Sequence, residues 1–254
     1  MSDQNGRTLP TPANDGDRKL LADVRGHGWH VINVISEPAF SYSIGLYENY
    51  GHPEVIVFGL DLNVMHRMIN AIGDQIKEGG SFDDLDESDD VLEGYNVIFR
   101  TVEMKHYPEY FGYAHWFYQG DRFPVLQCIW PDSLHRYPWH PSFNQSLAAH
   151  QPVLSDDRSW RFQAGRNRAV FTTKPVTKLG RPVLLVFHDE EGDWQFQCGT
   201  TNKQKDMQLV SLGVIFERDP TLAQVADLPE GWRASRSAVG AEWQREPMEQ
   251  EEEE

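Results

Sequence analysis

Long apolar runs and paired cysteines are missing from this 254-residue chain. No stretch approaches the roughly 18 apolar residues a membrane span needs, so no membrane partner is expected. The N-terminus, MSDQNGRTLPTPANDGDRK, has no apolar core and is not expected to act as a secretory signal. Only two cysteines occur, Cys128 and Cys198, far apart and outside any CxxC. A disulfide framework is therefore not expected, and the chain is assigned to a reducing cytoplasm. Nucleotide cradles are lacking as well: there is no GxGxxG after a strand, no GxxxxGKS or GxxxxGKT and no GxSxG elbow. No HExxH and no cysteine pair with zinc spacing is present. Positive charge is scarce, 23 Lys and Arg against 39 Asp and Glu, for a net of −16. A surface this acidic repels phosphate backbones and argues against nucleic acid. It suits a basic protein partner, or serves solubility alone.

What is present is a globular composition, 39% hydrophobic with eight Trp. The expected fold class is α+β in two domains. Residues 1–17 carry Pro, Asn, Asp and Gly without periodicity and read as a loose tail. A first domain runs over 18–154, a polar seam SDDRS occupies 155–159, a smaller domain runs over 160–245, and 246–254 is an acidic tail. In the first domain, WHVINVIS (29–36), FSYSIGL (40–46), EVIVFGL (54–60), YNVIFRTVE (95–103) and RFPVLQCIWPD (122–132) read as strands. Leu62, Met65, Ile69, Ile72 and Ile76 recur at helical spacing, with His66, Asn70, Asp74 and Lys77 on the outer side. SFDDLDESDDVLEG (81–94), with seven acids, reads as a solvated loop, and PEYFGYAHWFY (108–118) as a short helix. The result is a mostly antiparallel or split-barrel-like sheet with two helices. In the second domain, AVFTTKPV and PVLLVFH are strands, DEEG a tight turn, and DWQFQCG the hairpin partner. QLVSLGVIFE (208–217) reads as one more strand, and DPTLAQVADL as a helix capped by Asp219 with Pro220 at its first position.

Several side chains are candidates for chemistry. His52 and Glu54 flank Pro53 in YSIGLYENYGHPEVIVFGL (42–60). They read either as a general-base pair or as a turn and strand entry, because His52 precedes a proline and is held extended. Ser41, Ser43 and Gly45 form a small-residue face that another element or a ligand could approach closely. His27 and His30 could ligate a metal only if Gly26 and Gly28 bend the chain, since strand ligands need i, i+2 spacing to share a face. His115 lies in the aromatic run YFGYAHWFY, which reads as core or as a stacking platform. Cys198 has His188 nearby in sequence. If DEEG closes the hairpin, His188 pairs with Asp193 and faces away from Cys198, and a Cys–His dyad is excluded. No cofactor is expected. Zinc, from scattered His and acids, and flavin remain alternatives; the order strand, strand, strand, helix, strand parallels flavin-binding split barrels at fold level only.

HGWHV, FSYSIGL, GHPEVIVFGL, YFGYAHWFY, FPVLQCIWPD and RYPW together resemble a bacterial family catalogued as a domain of unknown function, DUF4262, over roughly 20–154. That resemblance implies no activity and no catalytic residue. GDWQFQCG and DPTLAQVADLP resemble a small immunity-protein-like domain of the DUF2185 type, over about 168–236. This second resemblance implies a protein that binds a toxin and catalyses nothing. The expectation is a non-enzymatic binding protein, with a small-molecule site on the Ser41/Ser43/Gly45 face as the alternative.

Overall fold

The computed structural model describes residues 9–155, 159–201 and 203–248. The seam expected at 155–159 and the ends of both expected tails lie largely outside them. The chain divides into two compact units, 1–156 and 157–254.

The first unit opens with α1 (Asp15–Gly26), which starts inside the segment expected to be irregular. Asn14 caps it by accepting from the Asp17 N–H, while Asp17 accepts from the Ala13 N–H. This reciprocal arrangement satisfies one first-turn donor, the Asp17 N–H, and the Ala13 N–H just ahead of the cap. There follow β1 (His30–Val34), β2 (Phe40–Ile44), α2 (Leu46–Tyr50), β3 (Glu54–Phe58), α3 (Leu62–Lys77), β4 (Glu87–Leu92) and β5 (Tyr95–Thr101). The unit finishes with α4 (Tyr107–Tyr110), α5 (Gly112–Tyr118), β6 (Val125–Ile129) and α6 (Gln145–Ala148). The helix expected over 108–118 is thus two short helices, interrupted at Phe111.

The sheet order is β1-β2-β3-β6-β5-β4, antiparallel except for β3 with β6. It is an open sheet with β1 and β4 as its edges, so the sheet alternative holds over the barrel. Alternation sorts its side chains into two cores. Tyr42, Ile44, Ile56 and Phe58 face α1, α4 and α5, with Leu20, Tyr107, Phe111 and Phe117. Val55, Val57, Val97, Phe99 and Cys128 face α3, with Met65, Ile69 and Ile72. Both faces are covered, which explains why β2, β3 and β6 are buried from end to end.

The acidic stretch contains β4, where a solvated loop was expected. Phe82, Leu85 and Val91 are its buried anchors, and Asp89 and Asp90 face solvent. An edge strand needs only one apolar face, and charge along it discourages pairing with other chains.

The second unit comprises β7 (Ala169–Thr173), α7 (Lys174–Leu179), β8 (Leu185–His188), β9 (Trp194–Gln197), β10 (Met207–Ser211), α8 (Leu212–Arg218), β11 (Trp232–Ser235) and β12 (Gln244–Pro247). Asp219 caps a 3-10 turn over Pro220–Val225, accepting from the Thr221 N–H as expected. Strand order is β10-β7-β9-β8-β11-β12, with only β7 and β9 parallel. The strand expected over 208–217 ends at Ser211 and continues as α8. Leu212, Ile215 and Phe216 recur at helical spacing and are buried there with Trp160 and Phe162.

The hairpin register differs by one residue from the expected one. His188 pairs with Trp194, and Val186 with Phe196. The cause is Gly192, which takes φ +80°. A left-handed residue after the turn adds a G1 bulge position, so Asp189 pairs with Asp193 across three residues. A shift of one residue moves every side chain to the other face. His188 therefore shares the buried face with Trp194 and Phe196, and its ring stacks on Trp194 at 4.0 Å.

Candidate functional site

The HPE stretch is a clamp built around a buried carboxylate. Glu54 is the first residue of β3 and has no exposed surface. Its carboxylate accepts from the Gly45 N–H at 2.8 Å, the Tyr47 N–H at 3.1 Å, the Ser43 hydroxyl and the Tyr118 hydroxyl. All four partners are donors, the set an ionised carboxylate wants. Burial pushes its pKa up, and the donors offset only part of that. Burial and then the Glu54 charge push the Tyr118 phenol upward, so Tyr118 stays a donor. One side chain thus joins β2, β3, α5 and the start of α2.

His52 takes no part in that network. Its Nδ1 donates to the Pro53 carbonyl at 2.7 Å, and its Nε2 accepts from the Phe82 N–H at 3.0 Å. These contacts fix a neutral imidazole, and burial lowers its pKa. His52 therefore ties the turn to the head of the acidic segment, and the two side chains have separate partners.

The small face of β2 is already occupied. Ser41 donates to Asn33 Oδ1 at 2.7 Å, and Ser43 accepts from the Val55 N–H at 2.9 Å. Helix α3 packs over β2. Gly45 has φ +116°, and a Cβ there would lie 2.8 Å from the Gly28 carbonyl oxygen. Its smallness serves chain-to-chain approach.

His27 and His30 part company. His27 is exposed, and its ring lies tilted against Trp29 at 4.1 Å. His30 Nδ1 sits 2.7 Å from Asp23 Oδ2, and burial lowers its pKa despite that carboxylate. Among the described residues no group of three or more His, Cys, Asp or Glu side chains is placed to hold a metal ion. His115 is exposed and bonded to Asp121 at 2.7 Å. Its neighbours Phe111, Phe117 and Tyr118 belong to the core.

Cys198 is 2% exposed and lies against the Thr200 and Thr173 hydroxyls at 3.0 and 3.8 Å. Burial pushes its thiol up, but those hydrogen bonds outweigh it and the net direction is down. His188 donates instead to the Leu228 carbonyl. It lies four residues of strand from Cys198, roughly 13 Å at 3.3 Å per residue, so no dyad forms even on the shared face.

Two features were not signalled by the residue pattern. Arg100 is buried beside Asp84 at 3.6 Å and under the Trp139 ring at 5.6 Å. On the second unit, one face of the sheet carries exposed apolar groups. Leu209, Phe171, Gln195, Phe187, Arg233 and Glu246 form one cross-strand row from β10 to β12. Leu209 is 62% exposed and Phe171 36%. The opposite face carries Val170, Val186 and Phe196, all fully buried.

The charge is unevenly divided. Residues 1–156 hold 22 Asp and Glu against 10 Lys and Arg, a net of −12. Residues 157–248 hold 12 against 13, a net of +1, and five Glu follow. Among the described residues no helix is long and apolar enough to cross a membrane. No curated protein and no solved structure matches the chain. Residues 23–144, all within the first unit, match the model of a family described as a domain of unknown function (DUF4262).

Proposed function

We propose that this is a non-enzymatic binding protein that captures a basic protein on the open sheet face of its second unit. The observation that carries this reading is the cross-strand row Leu209–Phe171–Gln195–Phe187, in which the neighbours Leu209 and Phe171 are exposed and Phe187 is half-buried. Such a row is typical of an interface centre, where apolar and aromatic groups supply the binding energy. The net −12 of the first unit would speed the approach of a cationic partner rather than hold it. A toxin is the partner class implied by the resemblance of GDWQFQCG and DPTLAQVADLP to immunity proteins.

A flavin or metal site on the serine face is disfavoured by chemistry. Ser43 and Glu54 would each have to release a bond that holds the fold. Affinity capture from the source cells tests the proposal, with an unrelated acidic protein of matched charge as control. Wild type should retain a basic protein over the control, and the double variant Phe171→Asp/Leu209→Asp should lose it at least tenfold. No enrichment over the control, or equal retention by the double variant, would overturn the reading.

A further inference from the structure

We infer a second, small-ligand site in the second unit, specific for an oxyanion carried on an apolar body. Its location is a cleft of about 450 Å³ beside α7 and α8. That volume lies within the roughly 300–1,000 Å³ typical of small-molecule pockets. Val176, Val183 and Val239 line it and offer the apolar wall. Arg181 and Arg218 line it as well. Among the described residues, neither guanidinium has an ion-pair or hydrogen-bond partner, although the chain as a whole is rich in acids.

The one acid in the lining is already spent. Asp219 accepts from the Thr221 N–H and hydroxyl, and its other oxygen is paired with Arg236. Arg236 is buried, donates twice to the Val183 carbonyl and once to Thr221, and stacks on Trp243 at 4.4 Å. The Asp219 charge is thus neutralised in place, which leaves Arg181 and Arg218 as the uncompensated charges of the cleft. Guanidinium groups match the planar or tetrahedral oxygens of carboxylate and phosphate, and apolar walls add affinity for an attached hydrocarbon. The ligand class is therefore a small amphipathic carboxylate or phosphate.

Octanoate, octyl phosphate and neutral octanol are suitable probes, titrated into the full-length protein and followed by backbone amide shifts. Octanoate, octyl phosphate or both should saturate, with shifts centred on 176–183 and 218–221, and octanol should bind at least tenfold more weakly. The double variant Arg181→Glu/Arg218→Glu changes two exposed side chains and should lose at least tenfold in affinity with its thermal midpoint kept. Phe171→Asp/Leu209→Asp should bind the probes as wild type does, which separates this site from the proposed protein interface. Octanol binding as tightly as the anions, undiminished affinity in the arginine variant, or no saturation by either anion would overturn the inference.

Discussion

Glu54 shows how a carboxylate can be held at the heart of a fold by four hydrogen-bond donors. Removing one donor from a buried carboxylate leaves part of its charge unmet. Tyr118→Phe removes the phenol and keeps the ring, so it should cost about 1.5–3 kcal/mol in urea unfolding, the worth of a hydrogen bond to a charged group. A cost near zero would show that Glu54 is held by the other three alone. His52 gives a pH signature. The unfolded chain takes a proton near the usual 6.5, whereas the folded imidazole is held neutral by burial. Its contribution is complete above about pH 6.5 and is lost as pH falls toward the lower folded value. Asp83 is the charged neighbour that favours the proton, and His30 adds a slope of the same sign. His52→Gln can still donate to Pro53 and accept from Phe82, but cannot titrate. Its unfolding midpoint should change less between pH 7.5 and 5 than the wild-type midpoint does; an equal change would refute the assignment.

At the scale of elements, legibility followed periodicity. Strands β2 and β3 and helix α3 were readable because each has a long, clean apolar pattern. Strand β4 was hidden because its edge position needs only a few apolar anchors among seven acids. The split between β10 and α8 was hidden because Leu209, Leu212, Ile215 and Phe216 make one apolar run that fits either state until its partners are known. The hairpin was misread by a single residue, because DEEG does not reveal whether Gly192 closes the turn or bulges after it. Since Gly192 sits at φ +80°, Gly192→Val should destabilise the protein by about 1–2 kcal/mol, the cost of a left-handed conformation for a side-chain-bearing residue. Wild-type stability in that variant would contradict the bulged turn. Glu54 was legible as a position, but its partner Tyr118 lies 64 residues away and no local pattern joins the two.

At the scale of the molecule, the two units divide the work. The first covers both faces of its sheet, spends its candidate polar groups on itself and carries most of the negative charge. The second covers one face and leaves the other apolar row open. Acidity was plain in the composition, but its confinement to the first unit and the tail becomes meaningful only once the units are drawn. The most direct test is hydrogen–deuterium exchange on the full-length protein, alone and with the basic protein recovered by affinity capture. Protection should concentrate on β10 and β7, residues 207–211 and 169–173. Protection over 42–58 with none on those two strands would contradict the account and return attention to the HPE clamp.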